Sequence, residues 1–283
     1  MKPVVAVIAP GNMGAPVGGR MVEHGLKVLT SLTGRSSDSA ARASKAGLSA
    51  ANDEEIAAAD FFLSIVPPGD ALGLAQRFAP TLSASNAKPV YVDCNAVSPP
   101  TVERIADAIK ETGCPFVDAG IIGSPPEPKS ERGPRFYASG PHAPRFSRLK
   151  EYGLDVHVLD GPLSAASALK MSYGGITKGC TALGAAMFLA ATQGGSAKPL
   201  FAELQKSQPE LLKWFGKQVT GMYPKAYRWV AEMEEVSGFA GENEASKNIY
   251  AAIAQFYEHI ARDFKADQKD VAALKTFLSK AGQ

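Results

Sequence analysis

The residues best placed to do chemistry lie near the start of the chain. The apolar run Val4-Val5-Ala6-Val7-Ile8 leads into Ala9-Pro10-Gly11-Asn12-Met13-Gly14, then a helix-like stretch to His24-Gly25, then a second apolar run at Lys27–Thr30. A strand, a tight glycine turn and a helix N-terminus turn backbone N–H groups and the positive end of a helix toward a pyrophosphate. In the usual G-x-G-x-x-G pattern the backbone approaches the phosphates at the second glycine and the helix packs closely at the third. Those two positions are Gly11 and Gly14; the first is Ala9. A glycine turn with no ligand is the plain alternative, but the strand, helix and second strand in correct order argue for a dinucleotide site with Asn12 and Met13 in its loop.

The end of the second strand bears on which dinucleotide is bound. Folds that select NAD place an Asp or Glu about 20 residues beyond the loop, on the ribose hydroxyls. Here Ser31-Leu32-Thr33-Gly34-Arg35-Ser36-Ser37 contains no acid before Asp38. A guanidinium with adjacent hydroxyls suits a 2′-phosphate through charge-assisted bonds. Arg35 and Ser36 therefore favour NADP, with NAD possible. The competing reading has Ser36-Ser37-Asp38 capping the next helix and Arg35 in solvent.

Other candidates carry less. Asn95 follows the apolar run Val90–Asp93, at the carboxyl end of a strand where ligands of parallel sheets gather, although an asparagine there also caps turns. Pro125-Pro126-Glu127-Pro128-Lys129 forms a stiff loop, either a pocket rim or a surface turn. Arg228 and Glu232, one helical turn apart, read as a solvated pair. His24, His142, His157 and His259 form no triad or metal-ligand cluster, and no metal is expected. Cys94, Cys114 and Cys180 lack ligand spacing and read as reduced thiols.

These residues need a scaffold, and the 283-residue length allows two domains. The first 160 or so residues alternate helix-like stretches with apolar runs at Val4–Ile8, Lys27–Thr30, Phe61–Val66, Val90–Asp93, Phe116–Asp118, Phe136–Ala138 and Val156–Leu159. Continuous rather than alternating apolar runs mark strands buried on both faces, as in a parallel sheet covered by helices. After Asp160-Gly161-Pro162 the pattern turns wholly helical. An Ala-rich stretch runs from Leu163 to Gln193, followed by helices over 199–206, 209–219, 224–236, 242–264 and 267–280. The expected fold class is α/β: a doubly wound Rossmann domain over 1–162, then an all-helical domain over 163–283.

Charge and hydropathy narrow the remaining classes. Thirty Lys+Arg against 28 Asp+Glu give a net charge of +2, which argues against a nucleic-acid binder with its basic stripe. No apolar run is long enough for a membrane span, and Met1-Lys2-Pro3 leads directly into a strand, so a cytoplasmic protein is expected. Small and apolar residues from Ala182 to Ala191 exceed what one domain face needs, which predicts a homodimer.

The sequence resembles the β-hydroxyacid dehydrogenases related to 6-phosphogluconate dehydrogenase. Gly11-Asn12-Met13-Gly14 is similar to that family's G-x-M-G cofactor loop. Ser64-Ile65-Val66-Pro67-Pro68 is similar to its strand and turn beside the nicotinamide ribose, which implicates Val66, Pro67 and Pro68 in cofactor binding. Asp118-Ala119-Gly120-Ile121-Ile122-Gly123-Ser124 resembles its D-A-P-V-S-G-G substrate loop, and Lys170 stands where the family has its catalytic lysine. By itself Lys170 would read as a solvated helix lysine. The later helices resemble a poorly characterised variant branch, through Arg228-Trp229 and Glu232-Met233-Glu234-Glu235.

The resemblance has departures. The family's substrate-loop serine is Ile122 here, its K-x-x-N-N becomes Lys170-Met171-Ser172-Tyr173-Gly174, and its serine-threonine pair becomes Asn95-Ala96. What the resemblance implies is an NADP-dependent oxidoreductase acting on a small hydroxy acid or its oxo counterpart, in a cleft between the domains. Lys170 would be the general acid/base, Gly123 and Ser124 would hold a substrate carboxylate, and Tyr173 would orient the substrate. Gly174 would clear space for the nicotinamide. The alternatives are an imine reductase, which Lys170 opposes and Tyr173 keeps open, and a non-catalytic NADP-binding sensor or scaffold. A decarboxylating sugar-acid dehydrogenase is disfavoured by the lost serine and asparagine.

Overall fold

A computed structural model describes residues 2–241 and 243–279; Glu242 and Lys280, expected as helix ends, lie outside the described residues. The chain divides into two compact units, Met1–Met171 and Ser172–Gln283.

The first unit opens with β1 (Val4–Ile8), α1 (Gly14–Glu23), β2 (Lys27–Thr30), α2 (Ser37–Lys45), β3 (Ser49–Ala50), α3 (Asp53–Ala57) and β4 (Phe61–Ser64). It continues through α4 (Ala71–Ala84), β5 (Val90–Asp93), α5 (Pro99–Lys110), β6 (Phe116–Ile122), β7 (Arg135–Ser139), α6 (Ala143–Ser147) and β8 (Asp155–Val158). All seven expected strands form. They join one eight-stranded sheet in the order β3-β2-β1-β4-β5-β6-β7-β8. Strand β3 is two exposed residues at the edge, with no apolar run to announce it.

The continuous apolar runs are explained by burial on both faces of the sheet. Val5, Val7, Val28, Leu63, Val92 and Val117 pack with Val17 and Met21 of α1 on one face. Ala6, Ile8, Phe62, Tyr91 and Phe116 pack with Phe78 of α4 and Ile105 of α5 on the other. Phe62, Tyr91 and Phe116 are cross-strand neighbours on β4, β5 and β6, and their rings stack at 4.7 and 6.0 Å between centroids. Removing one such ring would cost about 3–5 kcal/mol in lost transfer energy and cavity.

The sheet departs from fully parallel at one place. Strand β7 runs antiparallel to β6. A parallel return needs a crossover of a dozen or more residues, usually a helix. The segment from Gly123 to Pro134 is rich in proline and forms none, so β7 comes back as a hairpin partner. The crossover that follows, through α6, restores β8 to a parallel pairing with β7.

Helix α7 (Ala165–Gln193) begins in the first unit and continues into the second. It is followed by α8 (Ala197–Ser207), α9 (Pro209–Met222), α10 (Ala226–Phe239), α11 (Glu244–Lys265) and α12 (Lys269–Ser279). Proline at the first position opens α9, and the Asn243 side chain accepts from Ala245 N and Ser246 N to open α11. Phe188 of α7 anchors this unit, with its ring 5.3 Å from Phe215 of α9 and 4.3 Å from Phe277 of α12. A side chain at Gly184 would collide with the Phe215 ring. Among the described residues no helix is long and apolar enough to cross a membrane.

Candidate functional site

The glycine loop joins β1 to α1 at the carboxyl end of the sheet. Gly14 has no room for a side chain, because a Cβ there would strike the carbonyl oxygen of Ala9. Gly11 is the reverse case: a Cβ would meet no protein atom within 4 Å. The bare backbone at Gly11 therefore faces space that the chain does not fill, as a group lying against it would require. No side chain caps the N-terminus of α1 and no acid occupies its first turn, which leaves its positive end open to a phosphate. This stretch fits a dinucleotide pyrophosphate. Asn12 is exposed at the tip of the loop and Met13 is half-buried beneath it.

Beyond β2, Arg35 is exposed and Ser36 caps α2, its hydroxyl accepting from Ser39 N at 3.3 Å. Capping and ligand binding are compatible, since the hydroxyl stays on the surface. One residue here is missing from the sequence reading. The half-buried Arg42 donates from Nε to the carbonyl of Pro10 at 3.4 Å and from Nη2 to Ser39 Oγ at 2.9 Å. It brings a guanidinium against the glycine loop. The available signal was the Ser39/Arg42 spacing of three on one helix face.

The turns after β4 and β5 are tied together by Asn95. Its Oδ1 accepts from Val66 N at 2.7 Å, and its Nδ2 donates to Ser64 Oγ at 2.8 Å and to Asp93 Oδ1. Asn95 is buried, so its amide shapes the Val66-Pro67-Pro68 turn from within. Pro68 then starts a short 3₁₀ turn, Pro68–Asp70.

Strand β6 and the first turns of α7 form the second half of the site. A Cβ on Gly120 would lie 2.9 Å from the Ala166 carbonyl oxygen and 3.1 Å from Lys170 Cβ, so glycine is what lets the helix approach the strand. The Lys170 amine donates to the carbonyl of Ile121 at the end of β6. Burial lowers its pKa from the usual lysine range to about 8. A carbonyl partner does little to offset the loss of water around a cation. Two residues beyond Ile121, Gly123 holds a left-handed φ of 126°, which a side chain would strain, and Ser124 is exposed.

The proline-rich loop after Ser124 is held from below. Arg20 of α1, only 7% exposed, donates from Nη2 to the carbonyls of Glu127 at 3.1 Å, Ser130 at 2.5 Å and Arg132 at 3.2 Å. Nothing in the local sequence around Arg20 pointed to this clamp, because its partners lie more than a hundred residues away. Arg20→Ala should free the loop, and tryptic cleavage within 127–132 should speed up about tenfold or more, given the worth of charge-assisted bonds. Cleavage at the parent rate would show that the loop holds its shape without the clamp.

Tyr173 and Gly174 belong to the second unit. The Tyr173 side chain is half exposed, and Gly174 has only the Lys178 amine near its open side, at 4.0 Å. The expected Arg228–Glu232 pair is replaced by another. Glu232 binds the amine of Lys178 on α7, and the Arg228 guanidinium lies 6.0 Å from the Tyr227 ring. The reason is that Glu232 turns into the helix packing, where Lys178 also sits near Trp229 at 5.5 Å.

Comparison with known proteins places this chain in a family. Residues 4–160 match the NAD-binding domain of 6-phosphogluconate dehydrogenase. The chain belongs to this family of β-hydroxyacid dehydrogenase-like proteins. Residues 191–260 match a domain of unknown function (DUF1932), in which Arg228-Trp229 and Glu232–Glu235 fall. No curated protein matches the chain. Among solved structures, a conserved protein of unknown function with structural similarity to 3-hydroxyacid dehydrogenases is 29% identical, covering 93% of this chain and 98% of its own, with a TM-score of 0.70. The 3-hydroxyisobutyrate dehydrogenase of Mycobacterium tuberculosis, solved with L-serine, is 18% identical over 98% of this chain and 99% of its own, TM-score 0.69. An imine reductase from Myxococcus stipitatus in complex with NADP+ is 16% identical over 98% and 100%, TM-score 0.56. The last two share the fold.

Proposed function

We propose that the protein is an NADP-dependent oxidoreductase that interconverts a small hydroxy acid and its oxo counterpart, with Lys170 as general acid/base. The observation that carries this reading is the desolvated Lys170 amine, its pKa lowered to about 8, on the carbonyl of Ile121 in β6, two residues before Gly123 in the chain. A bound nicotinamide supplies or accepts the hydride. Lys170 takes the hydroxyl proton of the substrate in oxidation and returns it to the forming alkoxide in reduction. Gly123 and Ser124 would receive the substrate carboxylate. Asn95 acts through the shape of the Val66-Pro67-Pro68 turn against the cofactor.

The lysine predicts the pH dependence. Carbonyl reduction needs the protonated amine, so its rate should fall as pH rises through about 8. Alcohol oxidation needs the neutral amine and should rise over the same range. Profiles of kcat/KM in both directions check this; parallel profiles would remove Lys170 from the proton step. The competing imine reductase reading is separated by substrate. Reduction of an oxo acid without reduction of a cyclic imine supports the hydroxyacid reading, and the reverse result supports the other.

NADP is favoured over NAD because Arg35 and Ser36 follow β2 with no acid before Asp38, and Arg42 of α2 reaches the glycine loop at Pro10. Arg35→Ala should raise the Kd for NADP about tenfold, the loss of one charge-assisted contact, and leave NAD binding unchanged. Equal weakening of both cofactors would remove Arg35 from 2′-phosphate recognition. A homodimer is supported by Tyr173, Ile176, Leu183 and Met187, large apolar side chains exposed along α7. Sedimentation as a monomer at micromolar concentration would contradict it.

A further inference from the structure

Two buried acids of the sheet are not used by the proposed reaction. Asp93 and Asp118 stand opposite each other across β5 and β6, and both are fully buried. Their surroundings differ. Asp118 accepts Ser167 Oγ on Oδ1 at 2.6 Å and Ser167 N on Oδ2 at 2.8 Å, with Ser139 Oγ 3.4 Å from Oδ2. Ser139 in turn donates to the Leu163 carbonyl at 2.7 Å and accepts from Ala166 N at 2.9 Å. Two backbone N–H groups in the first turn of α7 are thus satisfied by side chains of the sheet. Asp93 accepts from Asn95 Nδ2 on one oxygen, and its Oδ2 has no hydrogen-bond partner.

We propose that Asp118 is a positioning residue that caps α7 from the sheet and thereby sets Lys170, and that Asp93 must keep its proton for the cap to hold. A carboxylate is the natural occupant of a helix N-terminus, where orphan N–H groups and the macrodipole both favour negative charge. Lys170 lies one turn beyond Ala166 and Ser167, and Gly120 lets that turn sit directly on β6. A small displacement of the cap would carry the amine away from the Ile121 carbonyl. A second buried charge beside Asp118 would repel it in a medium of low polarity.

The ionisation of the pair fits this division. Burial, with the charge of Asp118 adding to it, pushes Asp93 up to about 8. Burial raises Asp118 to about 6 while its Ser167 bonds pull it back, so near neutrality the pair carries one charge, on Asp118. The other groups facing the pair are Tyr91 of β5, Cys94 and Asn95 just after it, Ser64 of β4, Ser139 of β7 and Ser167 of α7. Burial pushes the tyrosine and the thiol upward, so both stay neutral, and none of these groups is cationic.

The inference rests on Lys170 as the proton carrier, but its test reads the cap without turnover. Amide exchange over residues 165–170 is followed in the full chain, corrected for intrinsic rates. Asp118→Asn should speed it about tenfold or more, the worth of a charge-assisted bond. Ser167→Ala, which keeps the buried acid and removes one of its donors, should speed it in the same direction and serves if the first variant does not fold. The parent should also lose protection in this segment as pH rises through about 8, where Asp93 ionises. Asp93→Asn should lose less protection than the parent over that range, where only Lys170 then titrates. A cap of purely structural value would not respond to that neutral substitution. Parent-like exchange in Ser167→Ala, or the same pH response in Asp93→Asn as in the parent, would overturn the proposal. An intact cap in a protein that turns nothing over would instead count against the enzymatic reading alone.

Discussion

Lys170→Met is expected to reduce turnover about 10²–10⁴-fold, the range a positioned acid or base contributes, and to leave NADP affinity unchanged. Methionine keeps the length and much of the apolar stem but carries no proton, so the lost function is the chemical step. The fold should not suffer. A lysine whose pKa falls from the usual range to about 8 in the folded state makes the protein less stable wherever the unfolded chain would hold the proton more tightly. Working out the sign, that cost is fully present below about 8 and is relieved as pH rises toward the ordinary lysine value. Lys170→Met removes the cost, so at neutral pH the variant should melt at or above the parent temperature. The gap should close at alkaline pH. A drop in both activity and melting temperature would mean that the amine is structural.

A pair of glycine substitutions should separate binding from folding at the dinucleotide loop. Gly11→Ala adds a methyl that meets no protein atom. Its melting temperature should match the parent, while NADP affinity falls at least tenfold, about 1.4 kcal/mol, because the methyl occupies the space where the backbone must meet the phosphates. Gly14→Ala places its methyl against the Ala9 carbonyl, which is backbone and cannot rotate away. Overpacking of this kind costs about 1–3 kcal/mol, so this variant should lose both stability and cofactor. Calorimetry and NADP titration on the two proteins check the contrast. If Gly11→Ala bound NADP like the parent, the open space at Gly11 would not be the pyrophosphate site.

The first unit was legible because its signals are local. Continuous apolar runs gave the seven main strands, and the Ala9–Gly14 turn gave the loop between β1 and α1. The helical series after Pro162 was equally plain, with proline or asparagine at several helix starts. The reversal at β7 was not legible, since apolar patterning is the same for parallel and antiparallel buried strands. Contacts between distant segments were also hidden. Arg20 reaches residues 127–132, Arg42 reaches Pro10, and Glu232 leaves Arg228 for Lys178. Asp93 and Asp118 sat in plain view as polar residues ending two apolar runs. Their pairing depends on strand order, which a run of residues does not encode.

The most direct measurement is NADPH formation by its near-ultraviolet absorbance, with NADP+ and a panel of small hydroxy acids, parent and Lys170→Met side by side. The account predicts turnover of at least one hydroxy acid by the parent, rising with pH toward about 8, and its near loss in the variant. Tight NADP binding with no turnover across the panel, or equal turnover by the two proteins, would contradict it.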